Sequence, residues 1–155
     1  MTEGIVVSLH KTMRMAEAMD EAWSLKCIAG KGIEGDRYLL GTGTYSKKPE
    51  PGRQLTIIEI EKLEALEEQG LHCTPNQSRR NVISKGIQLN DLVGKEIMVG
   101  DVRLKVHRFC QPCMYLEKKL NQPGLKEALW DKGGLKCEVM TDGEIRPDDK
   151  ITLCE

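Results

Sequence analysis

The chain has 155 residues, of which 39% are hydrophobic, 30% charged and only 4% aromatic, and its formal net charge is −1. This composition is typical of one soluble domain with an aliphatic core, so we predict a single domain over residues 1–155. The small net charge argues against a nucleic-acid or membrane-surface partner, and no apolar run approaches the roughly 20 residues of a membrane helix.

The first third of the chain predicts two strands, a glycine-rich loop and a long polar segment. No basic residue precedes the first strand, 4–9, so we expect no signal peptide. A second strand is predicted over 22–28. Three glycines then lie within six residues, beside Lys31 and Arg37. This pattern indicates either a plain turn or a loop that presents N–H groups and cations to an anion. Residues 39–52 are predicted to form a loop, with a lid as one possible role.

The middle of the chain predicts a strand, an amphipathic helix and a basic turn. The strand covers 53–58, and the helix 59–69 has apolar residues at three-residue steps before a capping Gly70. A loop is expected over 71–77. It leads to Arg79-Arg80-Asn81 at the start of a short strand. The planar guanidinium of arginine matches the geometry of a phosphate, and an asparagine amide can donate beside it, so one interpretation is a phosphate-binding site. The alternative interpretation is a solvated basic turn.

The last third of the chain predicts a hairpin, two short helices and closing strands. A turn or short helical step over 89–95 precedes hairpin strands at 96–99 and 102–106, and helices are predicted at 115–120 and 125–130. Strands at 135–140 and 151–153 follow the break at Gly133-Gly134. Short strands without regular βαβ alternation predict an antiparallel barrel or sandwich that is mainly β with a few short helices.

A Cys-Gln-Pro-Cys motif lies between the hairpin and the first of these helices. The positive charge of Arg108, together with His107, would lower the pKa of a nearby thiol and favour its nucleophilic, metal-binding form, whereas the alternative is a pair of small buried residues. No second pair with zinc-ligand spacing is found. Without a secretory signal, a reduced, cytoplasmic protein is the better interpretation of six scattered cysteines. They are Cys27, Cys73, Cys110, Cys113, Cys137 and Cys154.

Taken together and in this order, these motifs resemble the MOSC domain, the C-terminal domain of molybdenum-cofactor sulfurases that also occurs as small stand-alone bacterial proteins. The resemblance covers nearly the whole chain and implies an antiparallel β-barrel associated with the molybdenum cofactor. The matching pieces are 32–37, Arg53-Gln54, 79–81, Leu89-Asn90 with 93–95, Pro112-Cys113, and a closing hairpin with Gly143, Ile145 and Asp148-Asp149.

The resemblance also implies the residues of a site. Cys113 corresponds to a cysteine that ligates molybdenum in related amidoxime-reducing enzymes and that was proposed to carry sulfur as a persulfide in the sulfurases. Arg79 and Asn81 match a pair that binds the phosphate end of the molybdopterin, and Arg37 matches another cofactor-contacting arginine. Cys110 has no family role. From its spacing, we hypothesise that it resolves a persulfide or disulfide on Cys113.

Three functions follow as alternatives. The first is a protein that carries, sulfurates or delivers the molybdenum cofactor to a cofactor-biosynthesis partner or a molybdoenzyme apo-protein. The second is a molybdenum-dependent reductase of N-hydroxylated substrates that receives electrons from a donor in trans. The third is a thiol redox or metal-binding module that uses Cys110 and Cys113 without a pterin. The pyridoxal phosphate of full sulfurases is not expected, because their aminotransferase-like domain is not part of this chain.

Overall fold

The computed structural model describes residues 3–12, 19–36, 54–112 and 114–154. Within them the main feature is a sheet that closes on itself. The strands are β1 (Glu3–Lys11), β2 (Asp20–Ala22), β3 (Leu25–Ile28), β4 (Gly32–Ile33), β5 (Leu55–Glu59), β6 (Val82–Lys85), β7 (Glu96–Val99), β8 (Val102–Phe109), β9 (Leu135–Val139), β10 (Gly143–Ile145) and β11 (Lys150–Leu153).

Seven of these strands form a closed barrel in the order β11-β7-β8-β9-β5-β6-β1, with β11 pairing back onto β1. Strand β2 extends the sheet beside β1, and β10-β3-β4 form a separate three-stranded sheet. All pairs are antiparallel except β5–β6, which is parallel. The predicted β-barrel is therefore confirmed, with one parallel pair that the sequence did not indicate.

Short helices make the crossover that this parallel pair requires. Helix α1 (Ile60–Glu64) continues into a 3₁₀ turn (Ala65–Gln69) and ends at Gly70, whose φ of 74° is the predicted left-handed cap. The predicted loop 71–77 is wrong at its end, because Thr74 and Gln77 form a capping box that begins helix α2 (Pro75–Ser78). The remaining helices are a 3₁₀ turn (Leu89–Leu92), α3 (Met114–Leu120) and α4 (Leu125–Ala128).

Two apolar clusters hold these elements together. One fills the barrel, where inward residues such as Val6, Ile57 and Val106 are fully buried. The second lies between the outer face of β5 and β6 and the helices, and includes Ile58, Leu63, Leu66, Ile83, Leu116 and Leu125. Leu116 therefore anchors α3, the helix that follows Cys113, to the outside of the barrel. No helix in the described ranges is long and apolar enough to cross a membrane.

The predicted second strand, 22–28, is broken into two. Strand β2 ends at Ala22 and β3 begins at Leu25, and between them Trp23 is 86% exposed. Part of the glycine-rich loop is also a strand, because Ile33 of β4 pairs with Cys27 and is fully buried. The sequence pattern missed this break because apolar residues continue through a turn whose tryptophan is not part of the core.

Gly134 provides a test of how tightly the barrel is packed. Its φ is 93°, and a Cβ at this position would overlap the carbonyl of Ile57. We expect Gly134→Ala to lower the free energy of unfolding by roughly 3 kcal/mol, because the strain adds to a steric overlap. Gly124 has a similar φ of 92° with no atom within 4 Å of the added Cβ. Gly124→Ala should cost only about 1 kcal/mol in the same urea titration, and equal losses would contradict the packing argument.

Candidate functional site

One end of the barrel contains a group of buried polar side chains. They come from β1, the glycine-rich loop, β5 and the turn that precedes β6. Buried polar groups are stable only when they are hydrogen-bonded to one another or to the backbone. The buried residues of this group are His10, Thr12, Asp36, Thr56, Ser78, Arg80 and Asn81.

Asn81 is the centre of this set. Its Nδ2 donates to the carbonyl of His10 at 3.1 Å and to Oδ1 of Asp36 at 3.2 Å. Its Oδ1 accepts from the backbone N–H and the hydroxyl of Thr56 at 3.0 and 3.1 Å. The side chain is fully buried. Both donors and both acceptor positions of the amide are thus used by protein atoms.

This environment holds the Asn81 side chain in one orientation. The predicted contact of Asn81 with a phosphate stays a prediction. The Asp36 carboxylate, which Asn81 holds, also accepts from the backbone N–H of Thr12 at 3.2 Å. Because Asp36 directly precedes Arg37, Asn81 fixes the point from which that segment begins. Arg37 itself lies outside the described residues, so its predicted contact stays a prediction.

Arg79 and Arg80 are adjacent in sequence but have different environments. Arg79 caps the end of α2 with a φ of 62°, a left-handed conformation that is uncommon for a residue other than glycine. Its side chain is half-buried, whereas Arg80 is only 9% exposed. Arg79, the residue with the left-handed φ, therefore lies nearer the surface, whereas the next residue, Arg80, is buried in the protein.

The guanidinium of Arg80 contacts both the basic turn and the segment that leads to Cys113. Its Nη1 donates to the carbonyl of Ser78 at 3.1 Å, and its Nη2 donates to the carbonyl of Cys110, also at 3.1 Å. A third bond runs from Nε to the carbonyl of Gly133 at 2.7 Å. The basic turn and the Cys-Gln-Pro-Cys motif, about 30 residues apart in the chain, are therefore in direct contact.

The segment Cys110–Pro112 is also held from its other side. The N–H of Cys110 donates to the carbonyl of Gly134 at 2.8 Å. The amide of Gln111 accepts from the N–H of Asp131 at 2.7 Å and donates to its carboxylate. Asn90, which the resemblance singled out, donates to the carbonyl of Asp131 at 2.7 Å. Cys113 is the next residue after this fixed segment and lies outside the described residues.

The five described cysteines are free thiols, and four of them are buried, whereas Cys154 is partly exposed. Burial raises the pKa of Cys27 to about 12 and that of Cys73 to about 11. It also raises the pKa of Cys137, and the neighbouring Cys110 adds to the effect. A thiol with a raised pKa has little thiolate at neutral pH. Cys110 is itself only 5% exposed, so a role in resolving a bond on Cys113, which stays a prediction, would require local opening.

Two histidines border the site. Leu9 packs inside the barrel, so His10 faces outward, where β2 and α2 cover it and leave it 1% exposed. Its Nε2 bonds the hydroxyl of Ser8 at 2.8 Å, and no described residue bonds its Nδ1. Burial lowers the pKa of His10, and the smaller effects of Glu21 and Asn76 oppose this.

The second histidine, His107, is tied to a neighbouring strand. Its Nε2 lies 2.9 Å from Oε1 of Glu138 on β9. The predicted influence of His107 on the Cys113 thiol stays a prediction. Among the residues that the structure describes, no three His, Cys, Asp or Glu side chains are grouped to hold a metal ion.

Sequence reasoning missed the structural importance of Arg80, His10 and Thr56. Arg80 matched a motif only as the neighbour of Arg79, and His10 was given little weight because it is isolated in sequence. Thr56 carried no signal beyond its place in a strand. A polar residue between apolar ones in a strand, as Thr56 is, indicates either an exposed face or a buried polar partner, and the pattern alone does not separate the two.

Comparison with known proteins identifies a family and a fold. The family model described as the MOSC domain matches residues 44–152. The crystal structure of the YUAD protein from Bacillus subtilis has a TM-score of 0.80 at 20% identity and covers 97% of this chain and 95% of that one. A search of curated proteins gave no match.

Two further solved structures share the fold. The crystal structures of YiiM from Geobacillus stearothermophilus and from Escherichia coli both have a TM-score of 0.69, at 19% and 16% identity. They cover 98% and 97% of this chain, and 73% and 70% of their own chains. At these identities, the likeness to solved structures concerns the fold alone.

Removing the Asn81 amide tests its central position. We expect Asn81→Ala to lower the free energy of unfolding by about 3–5 kcal/mol, because it leaves buried groups of Asp36 and Thr56 without their partner. Asn90→Ala is the matched control, since Asn90 is exposed and makes one bond with its amide. Urea unfolding measures both losses. A loss at Asn81 no larger than the loss at Asn90 would show that the buried network is not cooperative.

The lowered pKa of His10 predicts a pH dependence of stability. Below the ordinary histidine pKa of 6.5, the unfolded chain takes up a proton that the folded protein excludes at His10. The free energy of unfolding should therefore fall as the pH is lowered from 7 towards 5. We expect a smaller fall for His10→Gln, measured by urea titration at each pH. The exposed His72→Gln is the control, and an identical slope in wild type and His10→Gln would contradict this assignment.

Proposed function

This chain belongs to the MOSC domain family, a family linked to molybdenum-cofactor binding, and from that premise we propose that it binds the molybdenum cofactor at the Arg80 end of the barrel. The cofactor would be held between the Arg79 turn and the segment that leads to Cys113. The protein would then carry, sulfurate or deliver it.

A single observation carries this proposal. Arg80 donates both to the carbonyl of Ser78, beside the phosphate-binding candidate Arg79, and to the carbonyl of Cys110, three residues before Cys113. A site for a ligand with a phosphate at one end and a metal at the other needs a cation and a soft ligand within one region. The arginine turn and the thiol-bearing segment provide these two chemistries side by side.

The phosphate end is assigned to Arg79, with Arg37 as a second donor. A half-buried guanidinium is less hydrated than one in open solvent, so its bidentate bonds to a phosphate gain strength. Arg79 has a left-handed φ and a half-buried side chain, whereas the next residue, Arg80, is 9% exposed. Asn81 would act indirectly, because its bond to Asp36 fixes the residue before Arg37.

The metal end is assigned to Cys113. A thiolate is a soft ligand and suits a metal that is already bound by the sulfur atoms of a dithiolene. When bound, the cofactor would supply a molybdenum centre with sulfur ligands. In a sulfurating role, Cys113 would instead hold the sulfur atom as a persulfide. Both roles need a thiol that is more acidic than the buried cysteines of the barrel.

The reductase alternative uses the same donor set. A reductase of N-hydroxylated compounds would bind the cofactor through Arg79 and Cys113 and would also need an electron donor in trans. A carrier would need a cofactor-biosynthesis protein or a molybdoenzyme apo-protein as its partner. Cofactor binding is therefore the step that the two functions share, and it is the step to test first.

The test is metal and pterin analysis of protein expressed in a host that makes molybdenum cofactor. We expect about one molybdenum and one pterin per chain in the wild type. Cys113→Ala should lose molybdenum. Arg79→Asn should bind the pterin about tenfold more weakly, because asparagine tolerates a left-handed φ but lacks the guanidinium.

Two substitutions away from the site serve as controls. Arg103 pairs with Glu96 on the barrel surface, and Cys154 is a partly exposed thiol near the C-terminus. Arg103→Asn and Cys154→Ala should retain the cofactor at wild-type levels. Wild-type protein that contains neither molybdenum nor pterin, and that does not take up added cofactor, would exclude both the carrier and the reductase.

A further inference from the structure

Arg80 is a buried cation in an unusual environment. It is 9% exposed, and no carboxylate pairs with it among the residues that the structure describes. In the described part of the chain, its guanidinium donates to three backbone carbonyls, at 2.7, 3.1 and 3.1 Å. Removing a guanidinium from water is strongly unfavourable before these bonds are counted. A neutral residue would hold the same turn with less desolvation, so the arginine calls for a reason beyond stability.

The three carbonyls belong to three separate parts of the proposed site. Ser78 lies in the turn that carries Arg79, Cys110 begins the segment that leads to Cys113, and Gly133 follows α4. The guanidinium is planar, with N–H directions that are fixed relative to one another. Three hydrogen bonds from one planar group therefore fix the distances between these three segments. The segments are separated in sequence, so the covalent chain alone would not fix these distances.

The backbone at Gly133 packs closely against the Cys110–Pro112 segment and the guanidinium of Arg80. A Cβ on Gly133 would lie 2.5 Å from the carbonyl oxygen of Cys110 and 3.1 Å from Cδ of Pro112. It would also lie 3.4 Å from Nη2 of Arg80. The glycine is therefore required for the Cys110 carbonyl to reach the guanidinium.

We propose that Arg80 is a positioning residue that locks the thiol-bearing segment Cys110–Pro112 to the Arg79 turn, and thereby sets the reactivity of Cys113. The inference rests on the proposed function, in which Cys113 is the reacting thiol. Arg80 itself would not touch the cofactor, because its described bonds are all to the backbone. A change at the Arg79 turn would be transmitted to Cys113 through this guanidinium.

The first experiment measures the thiol in cofactor-free protein. Wild type, Arg80→Lys and Arg80→Gln are treated with iodoacetamide at a series of pH values, and mass spectrometry follows each cysteine separately. We expect the alkylation rate of Cys113 to change by about fivefold or more, and its midpoint pH to shift, in both variants. Arg80→Lys keeps the charge but not the fork, so an effect in both variants assigns it to geometry.

Controls separate positioning from general loosening. Cys154 should react within about twofold of its wild-type rate in every variant, and Arg103→Lys should leave Cys113 unchanged. Cys73 reports on the positive charge at position 80. Burial raises the pKa of this thiol, and the charge of Arg80 lowers it. A folded Arg80→Lys with wild-type thermal stability and a wild-type Cys113 profile would overturn the proposal.

Two further measurements decide the matter where the Arg80 variants do not fold. Gly133→Ala keeps the Arg80 side chain but displaces the Cys110 carbonyl from it, and it should reproduce the change at Cys113. In unaltered wild type, NMR should detect a slowly exchanging Nε–H of Arg80 whose signal shifts when Cys113 is alkylated. An Arg80 signal that is identical before and after alkylation would overturn the coupling. Neither readout involves molybdenum, so a failure of cofactor binding is distinguishable from a failure of this inference.

Discussion

The parallel pairing of β5 and β6 is the constraint on which the rest of the structure depends. The other pairs of the barrel are antiparallel, but here Ile57 lies opposite Val82 in parallel register. A parallel pair requires the chain to cross back over the sheet, and the residues between the strands make this crossover as α1, a 3₁₀ turn and α2. The crossover must return to the end of the barrel where β5 began. It therefore brings Arg79, Arg80 and Asn81 beside Thr56, and from this position Asn81 and Arg80 reach the neighbouring segments.

The outer face at this end of the barrel carries a buried polar network, whereas the barrel interior is aliphatic. Such a network stabilises a unique arrangement only when it is complete, because one missing partner leaves a buried polar group unsatisfied. Asn81 meets this condition within the described residues, with four bonds to three neighbours. Nδ1 of His10 does not, since no described residue bonds it. Within the described residues, this part of the structure thus combines a fully bonded amide with a ring nitrogen that lacks a partner.

Much of the fold could be predicted from the sequence, because its signals are local. Alternating apolar residues predicted most strands, and Gly70 correctly marked the end of the crossover helix with a φ of 74°. The parallel pair could not be predicted, since strand direction depends on which strands become neighbours. The helix at Pro75 was missed although Thr74 and Gln77 form a capping box, a signal that was available in the sequence.

The site was predictable in its chemistry but not in its connections. Arginine, asparagine and cysteine indicated a phosphate and a soft metal or sulfur ligand, whatever their arrangement in space. That Arg79 and Arg80 have different environments could not be predicted, because it depends on a left-handed φ at Arg79. The burial of Asn81 likewise depends on β1, on Asp36 and on Thr56, which come from three distant parts of the chain.

Two unfavourable terms of this structure lie where its function is proposed. Arg79 adopts a conformation that costs on the order of 1 kcal/mol for a residue with a Cβ, and the next residue buries a charge among carbonyls. Neither term helps the barrel to close, because the barrel is closed by strand pairing and by its aliphatic interior. Proteins usually tolerate a strained backbone or a buried charge where a functional site requires it. Here Arg79 has the strained backbone, and the next residue, Arg80, has the buried charge. A geometry that connects the arginine turn with the thiol segment explains both costs, whereas stability alone explains neither.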